Sequence, residues 1–574
     1  MPEYLTPGVY FELQDKAPPV IRQVRTDITG FVGLAERGPL NQPVQIESWR
    51  QFQAQFGDFV AYGFLSYAVK GFFENGGRTC FVVRAAGVTA QAASLLMRNK
   101  DSNPNKNAIL KLEAKNRGSW GNQIAIALTQ ISPSNLSFSL VVIRDRRDRE
   151  VFPNLLLDPK SDRYFARVIN QGTDRLAPSQ WITVQDLIDP TATRNADWLP
   201  NGNRSGLKNQ IGFLIAGQDG IDSLTLADFL GSPDPLTSQK VGLSALDAID
   251  AVGIVCIPDL HIAPVPLPPP APGKPTPPQD PCLPICSVPS AGIPASPKLT
   301  EQPPQFSRNQ IIAAQRTMIE HCERHQDRIA ILDVPLNVNS DRSLTLAEVQ
   351  DWRQQFDSER GFAALYYPWI RVVDPLKLGG NPVRTIPSGG HVAGLYARSD
   401  FEVGPHKAPA NGELFWAEDV TVAINDDQQA IFNPEGINCI RAFPGRGIRV
   451  YGARTVSSNP DWRYINVRRL MMMIEEAVDE STQWAVFEPN DFNLRRSLIL
   501  SVSGFLETLW RRGALVGETA EEAFYIKCDE TNNPPEIVNQ GKILTEIGVA
   551  PTHPAEFIVF RVGRTLEELE IVER

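Results

Sequence analysis

The chain has 574 residues, of which 42% are hydrophobic and 21% are charged, a balance typical of globular proteins. At roughly 150 residues per domain, this length predicts about four domains, and the formal net charge of −10 argues against a nucleic-acid-binding protein, which usually has a basic face. The seven cysteines, an odd number, do not indicate a disulfide framework, so we expect most of them to be reduced and buried.

The N-terminal sequence, MPEYLTPGVYFELQDKAPPV, has no basic segment followed by an apolar run, so it does not resemble a signal peptide. The most apolar stretches, such as Ala251 to Ile257, are too short to span a bilayer. We therefore expect the chain to fold in the cytoplasm, without direct membrane insertion.

The first 25 residues contain a Pro7-Gly8 turn and a possible strand at Val9 to Phe11, without a helical period, and are predicted to form an extended arm. Compact structure is predicted to begin after this arm. Its expected elements are a strand at 29–35, a helix at 46–56, a helix at 65–74 and a strand at 79–84.

Residues 91–240 are more polar and are predicted to form an inserted, β-rich outer domain, with strands at 124–129 and 138–143. Strands at 251–257, 328–334 and 363–367, with a helix at 307–325, then predict an α/β domain. The segment Ile262 to Pro304 holds 16 of the 47 prolines, and proline removes a backbone donor. We predict an exposed, partly extended loop there.

The C-terminal third is the most regular part of the chain. Asn459-Pro460 is typical of a helix start, and a second helix is predicted from Asn490-Asp491. Strands at 522–527, 542–549 and 556–562 are expected to cover the two amphipathic helices. The whole pattern predicts an α/β (α+β) multidomain protein with a mixed sheet. The predicted division is an N-terminal extended arm (1–25), the first part of the core (26–90), the inserted outer domain (91–240), the α/β middle domain (241–409, with the loop 262–304), the C-terminal core (410–554) and a C-terminal strand or arm (555–574).

His321 and His325 are four residues apart on a predicted helix, so both imidazoles could face one metal ion. The metalloprotease pattern needs Glu directly after the first His, and this chain has Cys322 there. We therefore expect surface histidines beside a core cysteine.

Cys282 and Cys286 lie in the proline-rich loop and leave three alternatives open. They could bind zinc with Cys256 or His261, form a local disulfide, or remain unpaired. The glycine-rich stretch Phe443 to Gly447 lacks the Gly-Lys-Ser/Thr end and following helix of a phosphate loop, and is predicted to be a tight turn. We expect a protein that is not an enzyme, with no cofactor and no metal.

Several segments resemble, in order, the tail sheath family of contractile phages, R-type bacteriocins and extracellular contractile injection systems. The resemblance is strongest after Arg441. The matching segments are LTPGVYFEL near the N-terminus, HCERHQDRIAILDVP (321–335), YYPWIRVVDP (366–375), SGGHVAGLYARSD (388–400), RAFPGRGIRVYGARTVSS (441–458), VRRLMMMIEEAV (467–478), AVFEPND (485–491), FLETLWRRGALVG (505–517), AFYIKCDETNN (523–533) and IGVAPTHPAEFIVFRV (547–562).

The resemblance implies a structural subunit that polymerises as stacked hexameric rings around an inner tube and contracts to drive the tube through a target envelope. The implied partners are further copies of the chain, the tube protein, and baseplate and terminal cap proteins, without nucleic acid. Both terminal arms would complete β-sheets of neighbouring subunits. The implied arm strands consist of Thr6, Pro7, Gly8, Val9, Tyr10, Phe11, Phe557, Ile558, Val559, Phe560 and Arg561.

Joints near 15–20 and 552–554 are expected to let subunit bodies rotate while the arm strands stay paired. The tube contact is expected on charged helix positions of the C-terminal core, and the alternative is that these positions are ordinary solvated faces. The candidates are Glu475, Glu476, Asp479, Glu480, Arg511 and Arg512.

Two other functions stay open on the residues alone. One is a baseplate or tube-associated relative that shares the C-terminal core, and the other is a metal-dependent α/β enzyme. The sequence does not distinguish a phage tail from a bacteriocin or a cell-anchored injection system, nor does it identify the target.

Overall fold

The computed structural model describes residues 20–98, 108–144, 148–190, 192–200, 211–232, 240–265, 301–336, 344–377 and 382–557. Several predictions therefore lie outside the described residues. These are the arm strands at 6–11 and 558–561, the two loop cysteines Cys282 and Cys286, and most of the proline-rich loop.

Strands form five sheets in the described ranges. The strands are β1 (Thr29–Gly33), β2 (Val44–Ile46), β3 (Cys80–Arg84), β4 (Ser94–Arg98), β5 (Ala108–Ala114), β6 (Ala125–Ser132), β7 (Ser137–Ile143), β8 (Arg149–Leu156), β9 (Ile182–Asp186), β10 (Ile211–Phe213), β11 (Ile254–Cys256), β12 (Ile329–Asp333), β13 (Ala363–Tyr367), β14 (Ile370–Val373), β15 (Val383–Ile386), β16 (Asp419–Val420), β17 (Ile437–Phe443), β18 (Gly447–Tyr451), β19 (Phe524–Lys527) and β20 (Glu546–Val549).

Helices alternate with many of these strands along the chain. They are α1 (Trp49–Phe56), α2 (Leu65–Glu74), α3 (Phe165–Gln171), α4 (Leu226–Leu230), α5 (Arg308–His325), α6 (Leu346–Arg353), α7 (Gly389–Glu402), α8 (Asp426–Phe432), α9 (Ile465–Thr482), α10 (Phe492–Arg511), α11 (Ala520–Ala523) and α12 (Pro535–Asn539). The mixed helices and sheets confirm the predicted α/β (α+β) class.

The largest sheet has eight strands in the order β18-β17-β13-β12-β11-β1-β3-β2. Its six central strands are parallel, and only the edge strands β2 and β18 are antiparallel to their neighbours. β1, β11, β12 and β13 are buried along their whole length, as expected for a parallel sheet with both faces covered.

Two aspartates lie near the carboxyl ends of central strands. Asp333 is the last residue of β12, and Asp259 follows β11. Asp333 accepts hydrogen bonds from the backbone N–H groups of Ser388 (3.0 Å) and Gly389 (3.2 Å), at the start of α7. Asp259 accepts from the N–H groups of Leu34 (2.6 Å) and Phe64. Burial raises the pKa of each carboxyl to about 6. These carboxylates tie the main sheet to its covering helices.

Two further sheets, β4-β5-β9 and β10-β6-β7-β8, lie between β3 and β11 along the chain. They enclose a separate hydrophobic cluster that includes Trp120, Leu140 and Phe165. Arg144 and Asp148 form an ion pair (2.9 Å) at the hairpin between β7 and β8. The domain boundaries, including the predicted insert at 91–240, stay a prediction.

The C-terminal helices α9 and α10 share a third cluster that includes Leu470, Met473, Val502 and Phe505. The two-stranded sheet β19-β20 packs against this cluster through Phe524 and its neighbours. This confirms that strands near the C-terminus cover the two helices.

Several predicted boundaries were wrong. Asn459 accepts a hydrogen bond from the N–H of Asp461 and begins only a 3₁₀ turn; the long helix starts at Ile465. The strand predicted from residue 522 starts at Phe524 because a short helix precedes it, and the strand predicted from residue 542 starts at Glu546. Capping residues mark both 3₁₀ and α starts, so the sequence signal does not separate them.

Five cysteines of the described ranges are buried and unpaired, as expected. They are Cys80, Cys256, Cys322, Cys439 and Cys528. Among the described helices, none is long and apolar enough to cross a membrane.

A buried ion pair joins three distant parts of the chain. Arg469 of α9 donates to Asp400 of α7 (2.7 Å from Nη1 to Oδ1) and to the carbonyl oxygen of Thr26 (2.9 Å). The hydroxyl of Thr26 donates to the other oxygen of Asp400 (2.6 Å). Only 1% of the Arg469 side chain and 4% of the Asp400 side chain are exposed. The pair therefore fixes the N-terminal segment, the main sheet and the C-terminal helices at one point.

We expect Arg469→Met to lower the free energy of unfolding by about 3–5 kcal/mol, because it leaves the Asp400 carboxylate buried without its partner. The double variant Arg469→Met/Asp400→Leu should recover much of this loss. Urea unfolding followed by circular dichroism measures both. Arg511→Ala, which breaks the exposed pair with Glu507, is the control and should cost about 0–1 kcal/mol. If Arg469→Met and Arg511→Ala lowered the free energy of unfolding equally, this would contradict the stabilising role of the buried pair.

Acid should destabilise the protein through His391, which is buried between Gly71 and the ring of Trp416. Burial lowers the pKa of His391 to about 4, below the usual 6.5. The unfolded chain therefore binds more protons than the folded chain between these pH values, and stability falls as the pH falls. The free energy of unfolding of wild type, relative to that of His391→Phe, should fall by about 1.4 kcal/mol for each pH unit of acidification in this range.

Urea unfolding at pH 7, 6, 5 and about 4.5 measures this slope. Cys322→Ala is the control, because this buried thiol does not titrate in the same range and its effect should stay constant. A difference between wild type and His391→Phe that does not change with pH would contradict the prediction.

Candidate assembly surfaces

The described chain begins with a segment that lies along the C-terminal helices. Ile21 is buried in the cluster of α9 and α10. The N–H of Arg22 donates to the hydroxyl of Ser481 (3.3 Å), and the guanidinium of Arg512 donates to Gln23 (3.0 Å). The N-terminal segment is therefore attached to the C-terminal helices before it reaches Thr26.

The described chain ends with a second attached segment after β20. Thr552 donates its hydroxyl to Gly513 (2.9 Å) and its N–H to Ala514 (3.2 Å), and its carbonyl accepts from Asn466 (2.9 Å). Glu556 pairs with Arg454, with one contact of 2.9 Å. These contacts contradict a joint at 552–554, because Thr552 is held on three sides.

Phe557, the last described residue, is 76% exposed. Of the predicted C-terminal arm strand, this residue alone is described. Its side chain is therefore open to solvent directly after Glu556, which Arg454 holds.

The sheet β19-β20 has two strands and an antiparallel register that pairs Phe524 with Val549 and Lys527 with Glu546. In the described ranges no third strand joins it. Tyr525 lies over Gly548, where a Cβ atom would come within 2.0 Å of the ring. A pair of strands alone is marginally stable in water, and this sheet gains an apolar cover by packing against the cluster of α9 and α10.

The six charged candidates do not share one environment. Arg468, itself buried, pairs with Glu475 (3.0 Å). Glu476 is half-buried, and burial, with Asp327 and Glu480 nearby, raises the pKa of its carboxyl to about 7.

The other four candidates are exposed, as is Glu475, with 47% of its side chain accessible. Asp479 and Glu480 precede Ser481, and Arg511 precedes Arg512, so the contacts of residues 22 and 23 bring both pairs beside the N-terminal segment. The spacing in sequence did not predict this proximity.

Exposed apolar side chains in the same region were missed by the sequence analysis. Phe487 is fully exposed, with a left-handed backbone (φ 68°), and Phe492 and Leu500 lie on the solvent face of α10. The sequence did contain a signal for Phe492 and Leu500, because both are apolar but lie outside the apolar stripe of α10. This stripe consists of Leu494, Leu498, Val502, Phe505 and Leu509. Exposed aromatic side chains of this kind are typical of protein interfaces when they form a continuous patch.

The candidate metal ligands are separated into two groups. His321 is buried, not at the surface as expected, and lies beside His325, with ring centroids 4.6 Å apart. Cys256 is the last residue of β11 and His261 ends the 3₁₀ helix Pro258–His261; both are buried, and the ring of His261 packs against Trp369. The predicted turn at Phe443 to Gly447 is confirmed as the hairpin between β17 and β18, with Gly445 and Gly447 at positive φ.

Known proteins resemble this chain in both sequence and fold. The Vibrio phage KVP40 tail sheath protein is 26% identical over 271 residues, which cover 43% of this chain and 38% of that protein. The chain thus spans less than half the length of this curated relative. A sheath complex of an extracellular contractile injection system (PVC), in the contracted state, matches with 18% identity and a TM-score of 0.53 over 99% of both chains.

The contracted helical sheath of the anti-feeding prophage matches with 20% identity and a TM-score of 0.52, over 98% of this chain and 100% of that chain. These likenesses show a shared fold across nearly the whole chain. Two sheath families match in sequence: residues 306–456 match the phage tail sheath protein central domain, and residues 457–565 match the phage tail sheath C-terminal domain. Residues 306–565 therefore match the two adjacent domains of the phage tail sheath family.

Proposed function

We propose that the chain is a structural sheath subunit that polymerises around an inner tube and contracts. The observation that carries this proposal is the two-stranded sheet β19-β20, which lies in the part of the chain that matches the sheath C-terminal domain and packs on the same apolar cluster as Ile21. When the arm of one subunit pairs with the β19-β20 sheet of another, the two surfaces in contact are different. Such a contact builds a filament when it does not close into a ring.

The two arms are proposed to add strands to β19-β20 of neighbouring subunits. Residues Thr6 to Phe11 and Phe557 to Arg561 contain the β-branched and aromatic side chains that favour strands. Backbone hydrogen bonds would then supply the affinity between subunits. The attachment of Ile21 and Glu556 to the subunit body supports this role, because it fixes where each arm begins.

The proposed assembly is a stack of hexameric rings in the cytoplasm that belongs to a phage tail or a tail-like particle. Its further partners are proposed to be the tube, the baseplate and a terminal cap. Contraction would release energy stored in the assembled state rather than energy from a nucleotide. The joints that permit rotation are proposed to lie before Val20 and after Glu556, since Thr552 is held.

Electron microscopy of the full chain expressed with its neighbouring tube gene tests the function. We expect striated hollow cylinders around tubes. Removal of residues 1–19 should abolish the cylinders and leave a folded monomer, because the described contacts of the N-terminal segment begin after this point. Circular dichroism and gel filtration check the fold of the shortened chain.

A chain shortened only after residue 557 is the matched variant for the other arm, and it should also fail to form long cylinders. Unchanged cylinders from both shortened chains would contradict arm exchange. Dispersed particles from the full chain in the presence of tube would contradict the sheath role and favour a baseplate relative.

The exposed charges beside the N-terminal segment are proposed to contact the tube. Reversal of Asp479 and Glu480 to Lys, or of Arg511 and Arg512 to Glu, should weaken assembly templated by the tube, since each reversal turns an attraction into a repulsion. Co-sedimentation of sheath with preformed tubes measures the effect. The effect should grow at low salt, because salt screens exposed charges.

Glu475→Lys is the control, because Glu475 pairs with Arg468 of its own subunit. This variant should affect subunit stability more than tube binding. Co-sedimentation that stays unchanged for both double reversals would contradict the proposed tube contact.

A further inference from the structure

Three side chains that bind metals in many proteins converge on one side of the main sheet. His321 and His325 follow each other by one turn near the end of α5, and Asp247 lies in the 3₁₀ helix Gly242–Ala248. Asp247 Oδ1 is 3.5 Å from Nδ1 of His321 and 3.1 Å from Nε2 of His325. In the described ranges this is the one such group, with its three ligand atoms within 4.8 Å of one another.

We propose that Asp247, His321 and His325 bind a divalent transition-metal ion, with Zn²⁺ as the best fit. Zinc–nitrogen and zinc–oxygen bonds of about 2.0–2.1 Å at a tetrahedral angle place neighbouring ligand atoms about 3.3–3.4 Å apart. The distances from Oδ1 of Asp247 to the ring nitrogens of His321 (3.5 Å) and His325 (3.1 Å) lie on either side of this value. Two histidines and one carboxylate, with water in the fourth position, form a common zinc-binding set.

The orientation of the histidines suits a metal site, because a ring nitrogen of each one faces Oδ1 of Asp247. Metals bind the neutral form of an imidazole through such a nitrogen. Binding at Nδ1 of His321 would move its proton to Nε2, which faces Nη1 of Arg328 at 3.5 Å.

Arg328 can lose that contact because its other contacts are stronger. Its guanidinium donates to both oxygens of Asp327 (2.5 and 2.8 Å) and to the carbonyl of Leu246 (3.1 Å). Lys240 lies near Oδ2 of Asp247 (3.4 Å), which leaves Oδ1 for the ion. Asp327 balances the charge of Arg328, so the cation site is not repelled by an unpaired guanidinium.

The site is also accessible and held in place. About a fifth of the Asp247 and His325 side chains is exposed, so an ion can reach them, whereas His321 is 3% exposed and fixed in the core. The bound ion would link the 3₁₀ helix to α5. The sequence alone predicted no metal site in this chain.

Titration of the chelator-treated full chain with Zn²⁺, by calorimetry, tests the site. We expect one equivalent to bind, and the melting temperature to rise with bound Zn²⁺. His325→Gln and Asp247→Asn should each weaken binding about tenfold or more. Both residues are partly exposed, so the variants should stay folded, which circular dichroism checks. His553→Gln, which changes an exposed histidine elsewhere, should bind like wild type.

Co²⁺ distinguishes this site from the loop cysteines. A site of two histidines and a carboxylate gives visible bands without the near-ultraviolet band of a thiolate ligand. The double variant Cys282→Ser/Cys286→Ser should therefore keep the bound ion. Loss of binding in the cysteine variant, equal binding in His325→Gln and wild type, or a dissociation constant weaker than about 1 mM would each overturn the proposal.

Discussion

The buried pair of Arg469 and Asp400 is the interaction on which the arrangement of the chain depends. Removing both charges from water is expensive, and the cost is offset only when further hydrogen bonds satisfy the remaining polar atoms. Here Thr26 supplies both a carbonyl acceptor and a hydroxyl donor, and Tyr396 lies under the guanidinium at 4.8 Å. Thr26 follows the attached segment at 21–23, so the pair fixes the chain directly after that segment. One buried ionic contact thus holds the N-terminal segment and the C-terminal helices together.

The main sheet is built as a scaffold for this junction. In open parallel sheets, ligands usually bind beyond the carboxyl ends of the strands. In this chain, Asp259 and Asp333 occupy that position and turn inward to backbone N–H groups at 2.6–3.2 Å. Their hydrogen bonds attach α7 and the chain before α2 to the sheet. The rigid sheet therefore holds α7, and with it Asp400, in place against α9.

The sequence predicted well those helices and strands whose signals lie within a short window of residues. The buried strands at 329–333 and 363–367 and the helices α5 and α10 follow directly from apolar period and capping residues. What the sequence did not predict depends on partners far apart in the chain. Asp400 and Arg469 are 69 residues apart, and Asp247 and His325 are 78 residues apart, so no pattern in a window of residues connects them. The same reason explains why His321 was expected at the surface: its covering residues come from another element.

The energetics of assembly follow from the small size of the β19-β20 sheet. In the described ranges β19 and β20 each have one neighbouring strand, and a strand edge without a neighbour favours pairing with another strand. The body of the subunit does not need this sheet to be larger, since α9 and α10 already share a buried cluster with Phe505 and Leu509. Added strands would therefore stabilise the contact between subunits more than the fold of either one. If neighbouring arms add strands here as proposed, subunit bodies could change their relative positions while each retains its own core, as a polymer that contracts without unfolding requires.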